Sequence, residues 1–110
     1  MYEYKEKYTL DFTDVKGYYD LHAIIKTELD FPDYYGANWD AFWDCITDMI
    51  ASPDDLNIEV IGLDKIYSKY KEDVDILIDI LKRLKHVYGN KYCDRIKIVI
   101  HHGNNKVELT

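Results

Sequence analysis

Hydrophobic positions along the first half of the chain follow two different periods, which predict a strand and then two helices. Lys7–Phe12 alternates apolar and polar residues, as in a short strand. From Gly17 onward, apolar residues recur at intervals of three and four, which is typical of an amphipathic helix that ends before Pro32. A second helical stripe runs from Trp39 to about Ala51, and Asn38 precedes it as a favourable N-cap.

The second half of the chain alternates strand and helix again. We predict strands at two apolar segments, Asn57–Leu63 and Arg95–Ile100. The first of these strands is expected to be central in the sheet. Glu72–Tyr88 reads as a long amphipathic helix that stops at Gly89-Asn90, and the C-terminal residues leave room for a short edge strand. Strands separated by helices favour parallel pairing. We therefore predict an α/β fold with a small three-stranded parallel β-sheet and about three to four α-helices.

Length and composition fit one domain and exclude several classes of protein. The 110 residues are 47% hydrophobic and include eleven tyrosines, so residues 1–110 can bury a core as a single domain. The charged N-terminus lacks the apolar segment of a signal peptide, and no apolar run is long enough to span a bilayer. We expect a cytoplasmic protein with no membrane partner. Cys45 and Cys93 form no CxxC pair, and in a reducing compartment two buried thiols are favoured over the alternative of a structural disulfide.

Negative charge is concentrated in one third of the sequence. The net charge is −7, and no lysine or arginine occurs between Lys26 and Lys65. Ten of the 21 acidic residues lie in that window, which leaves 11 acidic against 14 basic residues in the rest of the chain. Such a segment repels nucleic acid and attracts a basic partner.

Within this window, the second predicted helix separates into an apolar face and an acidic face. At 100° per residue, its apolar side chains fall in one arc of about 120°, with Trp43 at the border nearest the acids. Asp40, Asp44 and Asp48 form a separate arc, here called the acidic ridge. Like charges one turn apart destabilise a helix by roughly 0.2–0.5 kcal/mol each, and only Asp40 is near enough to the helix N-terminus to gain from its dipole. Considered by itself, the acidic ridge could simply be a solvated helix face. Its combination with tryptophan and a tyrosine-rich loop favours a surface that binds a partner.

The residues that lead into and form this helix read PDYYGANWDAFWDCIT (Pro32–Thr47), and DLHAIIKTEL (Asp20–Leu29) precedes them. Both segments resemble the barstar family, the intracellular inhibitors of the ribonuclease barnase. The order of elements and the position of Cys93 match that family as well, so the resemblance covers roughly Tyr8 to Ile100. It implies a barstar-like fold and a proteinaceous inhibitor that is not an enzyme.

The resemblance also implies a role for each residue of the motif. The second helix and the loop before it would plug the active site of a basic ribonuclease, one inhibitor per enzyme, by mimicking RNA phosphate. Asp44 would be the main anchor among the cationic side chains of the enzyme, Asp40 would pair with a neighbouring cation, and Tyr34 would lie on the catalytic histidine. Asp48 lies farther from the loop and departs from the family pattern, so we expect it to contribute least of the three aspartates. The residues expected to frame the contact are Tyr35, Gly36, Asn38, Trp43 and Thr47.

The chain departs from the family pattern at two places. Asp48 and Met49 stand where the family has a glycine and a tryptophan. Lys82 or Arg83 stands where the last helix of the family presents an acid to the nuclease. Homologous inhibitors of other nucleases, including toxins secreted against competitors, would share the motif. An antitoxin or immunity role, and a barstar-like module for a different basic partner, therefore stay open.

Two other classes of function have less support. An enzyme could use the ridge carboxylates for Mg²⁺, or Cys93 with His101 and His102 for another metal, but no phosphate loop or catalytic motif is present. Adjacent histidines in a strand point to opposite faces, and His22 and His86 are expected to lie on helix surfaces or in packing contacts. An RNA-binding module conflicts with the acidity of the segment that holds the tyrosines. We predict no enzyme activity, no metal, no other cofactor and no bound nucleic acid.

Overall fold

The computed structural model describes residues 7–50, 56–92 and 96–109, and this part of the chain contains four strands and four helices. In chain order they are β1 (Tyr8–Asp11), α1 (Tyr18–Glu28), α2 (Trp39–Ile50), β2 (Leu56–Ile61), α3 (Leu63–Ile66), α4 (Lys71–Tyr92), β3 (Ile96–His102) and β4 (Asn105–Glu108). The mixed α/β class predicted from the sequence is confirmed. No helix in the described ranges is both long and apolar enough to cross a membrane.

The strands form one sheet in the order β1-β2-β3-β4. The first three strands are parallel, so the predicted parallel sheet is confirmed, and β2 is an internal strand as expected. The sheet has a fourth strand because β4 returns antiparallel beside β3, with His102 opposite Asn105. Gly103 makes this reversal with a φ of 62°, a conformation that glycine adopts without steric cost.

The two faces of the sheet differ in character because side chains alternate along each strand. On one face, fully buried residues such as Leu10 and Ile98 join the apolar stripes of the helices in one core cluster. On the other face, Glu59 lies 3.2 Å from Lys7 and 3.3 Å from His101. The hydrogen bond with His101 contributes most to lowering the pKa of Glu59, and the contact with Lys7 lowers it further. The helices therefore pack on one face of the sheet, while the opposite face carries charged side chains.

Several boundaries differ from the sequence prediction by one to four residues, and two of these differences have a local cause. The helix expected to stop at Gly89-Asn90 continues to Tyr92. A glycine inside a helix costs only about 1 kcal/mol relative to alanine, which a long helix with a buried apolar stripe tolerates. The strand expected over Asn57–Leu63 ends at Ile61, because Gly62 adopts a φ of 86° and begins the short helix α3.

The loop that leads to α2 starts with a tight reversal at the end of α1. The N–H of Phe31 donates to the carbonyl of Lys26 at 2.9 Å, and the N–H of Asp30 donates to the carbonyl of Thr27 at 3.4 Å. Asp30 has a φ of 54°, so these two bonds form a Schellman motif. The motif ends α1 before Pro32, as the sequence predicted, and directs the chain toward the start of α2.

Candidate functional site

Asn38 determines how the loop joins α2. Its Oδ1 accepts a hydrogen bond from the N–H of Ala41 at 2.8 Å, which confirms it as the N-cap of the helix. Its Nδ2 donates to the carbonyl of Gly36 at 3.1 Å. A Cβ atom on Gly36 would lie 3.1 Å from that same Nδ2, so a side chain there would crowd the capping amide. Ala37, between Gly36 and Asn38, has a φ of 52°, a conformation that is unusual for a residue other than glycine.

Tyr35 anchors the loop in the core. Its side chain is buried, its ring centroid lies 5.3 Å from that of Phe31, and its Oη lies 2.6 Å from Nδ1 of His22. The two adjacent tyrosines therefore face opposite ways, because Tyr34 is 77% exposed. The ring of Tyr34 is therefore accessible for the partner contact predicted from the sequence. The buried side chain of Tyr35 instead holds the loop against the core.

His22 links this loop to two helices. It is 1% exposed on α1, and its ring centroid lies 4.6 Å from that of Trp39 at the start of α2. Trp39 in turn donates its Nε1–H to Asp73 of α4 at 3.2 Å. Burial lowers the pKa of His22, and the Asp73 carboxylate opposes part of that change. His22 is therefore a packing residue, one of the two roles expected from the sequence.

The acidic ridge is exposed along its whole length. Asp40, Asp44 and Asp48 all lie on the solvent side of α2, whereas Phe42 and Ile46 on the opposite side are fully buried. Within residues 7–50, 56–92 and 96–109, no lysine, arginine or histidine forms an ion pair with any of the three aspartates. Among these residues, the ridge thus carries three exposed carboxylates that form no ion pair.

Two further residues of the predicted site lie beside the ridge. The hydroxyl of Thr47 is 2.8 Å from the carbonyl of Trp43 and 3.0 Å from that of Asp44, so its hydrogen is donated inside the helix. Thr47 can therefore offer an outside group only an acceptor. Trp43 is half-buried, and the guanidinium carbon of Arg83 lies 4.1 Å from its ring centroid.

The remaining candidates for chemistry are dispersed. His101 contacts Glu59 on the charged face of the sheet, and His102 is exposed at the end of β3. The described residues include no group of three or more His, Cys, Asp or Glu side chains placed to hold a metal ion. Cys45 is buried on the core side of α2, as expected, and Cys93 lies outside the described residues.

Comparison with known proteins assigns this arrangement to a family. The family model described as "Barstar (barnase inhibitor)" matches residues 6–101. The chain belongs to the barstar family. It is also 33% identical, over 96 residues, to "Putative ribonuclease inhibitor YrdF" of Bacillus subtilis (strain 168), a match that covers 86% of this chain and 97% of YrdF. Members of the barstar family are inhibitors, so the chain is not an enzyme, as the sequence predicted.

Some features of this barstar-family site could not be found from the sequence. The contacts of His22 with Tyr35 and of Arg83 with Trp43 join residues on different elements. Hydrophobic periodicity describes one helix at a time, so it carries no signal for such pairs. The sequence shows that Arg83 is basic where the family has an acidic residue. Its position on the ring of Trp43, however, depends on how α2 packs against α4.

Proposed function

We propose that the chain inhibits a basic ribonuclease in the cytoplasm by inserting the acidic ridge and Tyr34 into the active-site cleft, one inhibitor per enzyme. The observation that carries this proposal is the exposed ridge of Asp40, Asp44 and Asp48, with which no described residue forms an ion pair. Membership in a family described as barnase inhibitors supports a ribonuclease partner, as does the similarity to YrdF.

Electrostatics explains why such a surface would bind a ribonuclease. A cleft that binds RNA phosphates presents cationic side chains, and carboxylates at comparable spacing can replace the phosphates as hydrogen-bond acceptors. In the free protein, the three aspartates repel one another along the helix. Cations of the enzyme would replace this repulsion by attraction, so the electrostatic gain appears only in the complex. Complementary fields of this kind also raise the association rate.

Rigidity would let the surface bind without a large loss of conformational freedom. The ridge is part of a capped helix, and Tyr35 and Asn38 hold the preceding loop through hydrogen bonds to His22 and Gly36. A preorganised surface loses less conformational entropy on binding than a flexible one. Tyr34 adds a large exposed aromatic ring with few rotatable bonds, the kind of side chain that is enriched at interface centres.

We assign roles by position on this surface. Asp44 lies at the centre of the ridge and would be the main anchor, with Asp40 binding a neighbouring cation nearer the loop. Asp48 lies farthest from the loop and would contribute least. Trp43 and Thr47 would border the contact. The buried Tyr35 would act by shaping the loop, while the exposed Gly36 and Asn38 would shape the loop and also frame the contact.

The test is inhibition of RNA cleavage by a panel of purified basic microbial ribonucleases that includes barnase. We expect at least one enzyme to be inhibited competitively with RNA, with full inhibition at one equivalent of the protein. Absence of inhibition across the panel, or inhibition that RNA cannot relieve, would contradict the proposal. Binding without inhibition would instead favour a barstar-like module for a different basic partner or toxin.

A further inference from the structure

The acidic surface of α2 has a cation at its border. Arg83, exposed on α4, places its guanidinium carbon 4.1 Å from the ring centroid of Trp43. Trp43 immediately precedes Asp44 in α2, on the side of the helix that packs against α4. A guanidinium that stacks on an aromatic ring uses its flat face, so its N–H groups at the edge stay able to donate hydrogen bonds. The fold therefore fixes a planar donor beside the acidic ridge.

Arg83 takes this position although a carboxylate is available on its own helix. Asp79 precedes Arg83 by four residues, the spacing and orientation that favour an ion pair on a helix. The same spacing does produce a pair between Lys71 and Asp75, at 2.9 Å. Among the residues that the structure describes, Arg83 forms no ion pair with Asp79 or with any aspartate of the ridge. Its charge thus remains available to an outside group.

Apolar side chains share one stripe of α4 with Arg83. Ile76, Ile80, Arg83 and Val87 follow one another at intervals of four, three and four residues, and so share one stripe of the helix. Ile80 is buried, but Ile76 is 39% and Val87 is 52% exposed. Together, Ile76, Arg83 and Val87 form a surface that we call the α4 stripe. Exposed apolar residues beside polar and charged ones are typical of surfaces that bind another protein.

We propose that the ribonuclease bound by the acidic ridge also covers the α4 stripe, and that it presents a carboxylate to Arg83 with apolar side chains on either side. This inference rests on the proposed function and narrows it. The partner would be a nuclease whose cationic cleft has an acidic residue on one rim. A guanidinium held flat against Trp43 suits a carboxylate because it can donate two parallel hydrogen bonds from one edge. The site would then select among basic nucleases by the charge at this rim.

The sign of the effect of Arg83 on binding distinguishes this proposal from simple charge attraction. Against a uniformly basic enzyme surface, Arg83 would repel, and its removal would tighten the complex. Against a carboxylate, its removal would weaken the complex and leave the acid of the enzyme without a partner. The direction of the change in Kd therefore decides between the two.

The experiment uses the enzyme that the unmodified protein inhibits most strongly in the panel of basic microbial ribonucleases that includes barnase. Its Kd is measured for the parent, Arg83→Gln, Arg83→Glu and Lys82→Glu. We expect Arg83→Gln to raise Kd about tenfold and Arg83→Glu to raise it about a hundredfold. Lys82 is the matched control because it is an exposed cation on the same helix, about 100° away from Arg83 around the axis. Lys82→Glu should leave Kd unchanged or lower it.

Circular dichroism and thermal unfolding of each variant show whether the fold persists. Arg83→Lys keeps the charge but loses the planar edge, so we expect a Kd between those of the parent and Arg83→Gln. If Arg83→Gln and Arg83→Glu bind as tightly as the parent or more tightly, this inference fails while the proposed function stands. If the parent inhibits no enzyme of the panel, the proposed function fails and this inference fails with it.

Discussion

Replacing Asp44 by alanine should separate the stability of the free protein from its affinity for a nuclease. Asp44 is exposed, lies one turn from both Asp40 and Asp48, and has no ion pair with any described residue. Each like-charged pair at this spacing destabilises a helix by about 0.2–0.5 kcal/mol, so removing both stabilises the free protein by up to about 1 kcal/mol at low salt. The higher helix propensity of alanine acts in the same direction.

In the complex, the same substitution should be strongly unfavourable. Cations of the enzyme that Asp44 would contact become buried without a counter-charge. Truncation of one partner of a buried charge pair typically costs about 2–5 kcal/mol, a general range to which complexes of this family themselves contributed. The expected rise in Kd is therefore at least about 30-fold. Stability and affinity move in opposite directions, which a solvated helix face would not produce.

The assay combines urea denaturation of each variant with its Kd for the nuclease. Asp44→Asn serves as the isosteric neutral variant and should also weaken binding. Glu28→Ala is the matched control, because it removes one exposed acid from the same charged segment but from the end of α1. It should leave Kd nearly unchanged. If Asp44→Ala unfolds the protein, or binds as tightly as the parent, the assignment of the ridge to a partner is refuted.

Four further expectations follow from the same geometry. The association rate with a basic nuclease should fall steeply as ionic strength rises, and a stopped-flow rate that is unchanged between low and high salt would contradict electrostatic attraction. Burial lowers the pKa of His22 from 6.5, so its neutral form stabilises the fold fully above about pH 6.5, and this contribution is lost as pH falls through the lowered pKa. Urea titrations should show a shallower loss toward acid pH for His22→Gln than for the parent, and equal slopes would refute the assignment. Gly62→Ala should destabilise the protein by at least about 2 kcal/mol, since a Cβ there would lie 2.4 Å from the Thr13 nitrogen at a φ of 86°, and normal stability on denaturation would contradict the turn geometry. A chelator should leave both thermal stability and inhibition intact, so loss of either on addition of EDTA would point to a metal site.

Features that depend on one element could be predicted from the sequence. The division of α2 into a core side and an acidic side follows from helical geometry alone, and Asp40 and Phe42 lie on the sides expected for them. The three parallel strands were recognisable because each contributes alternate apolar residues to one core. The N-cap at Asn38 was readable because a short polar side chain precedes an apolar stripe.

Features that depend on contacts between elements could not be predicted. Two adjacent tyrosines look equivalent in the loop, but Tyr35 turns inward because His22 on α1 lies within hydrogen-bonding distance. The helix α3 is too short to show a period, so Leu63 was assigned to the preceding strand and residues 64–66 to no element. The effect of Arg83 on the surface depends on its distance from Trp43, which the packing of α4 against α2 determines.

Competition with a small active-site ligand shows whether the ridge occupies the active-site cleft of the nuclease. The measurement is the apparent Kd of the complex with an inhibited ribonuclease, at increasing concentrations of a mononucleotide that occupies the active site of that enzyme. If the ridge and Tyr34 fill the same cleft as RNA phosphate, the apparent Kd should rise in proportion to the mononucleotide concentration, without a plateau. An apparent Kd that stays constant while the active site is saturated would show that the protein binds elsewhere on the enzyme, and would refute insertion of the ridge into the cleft.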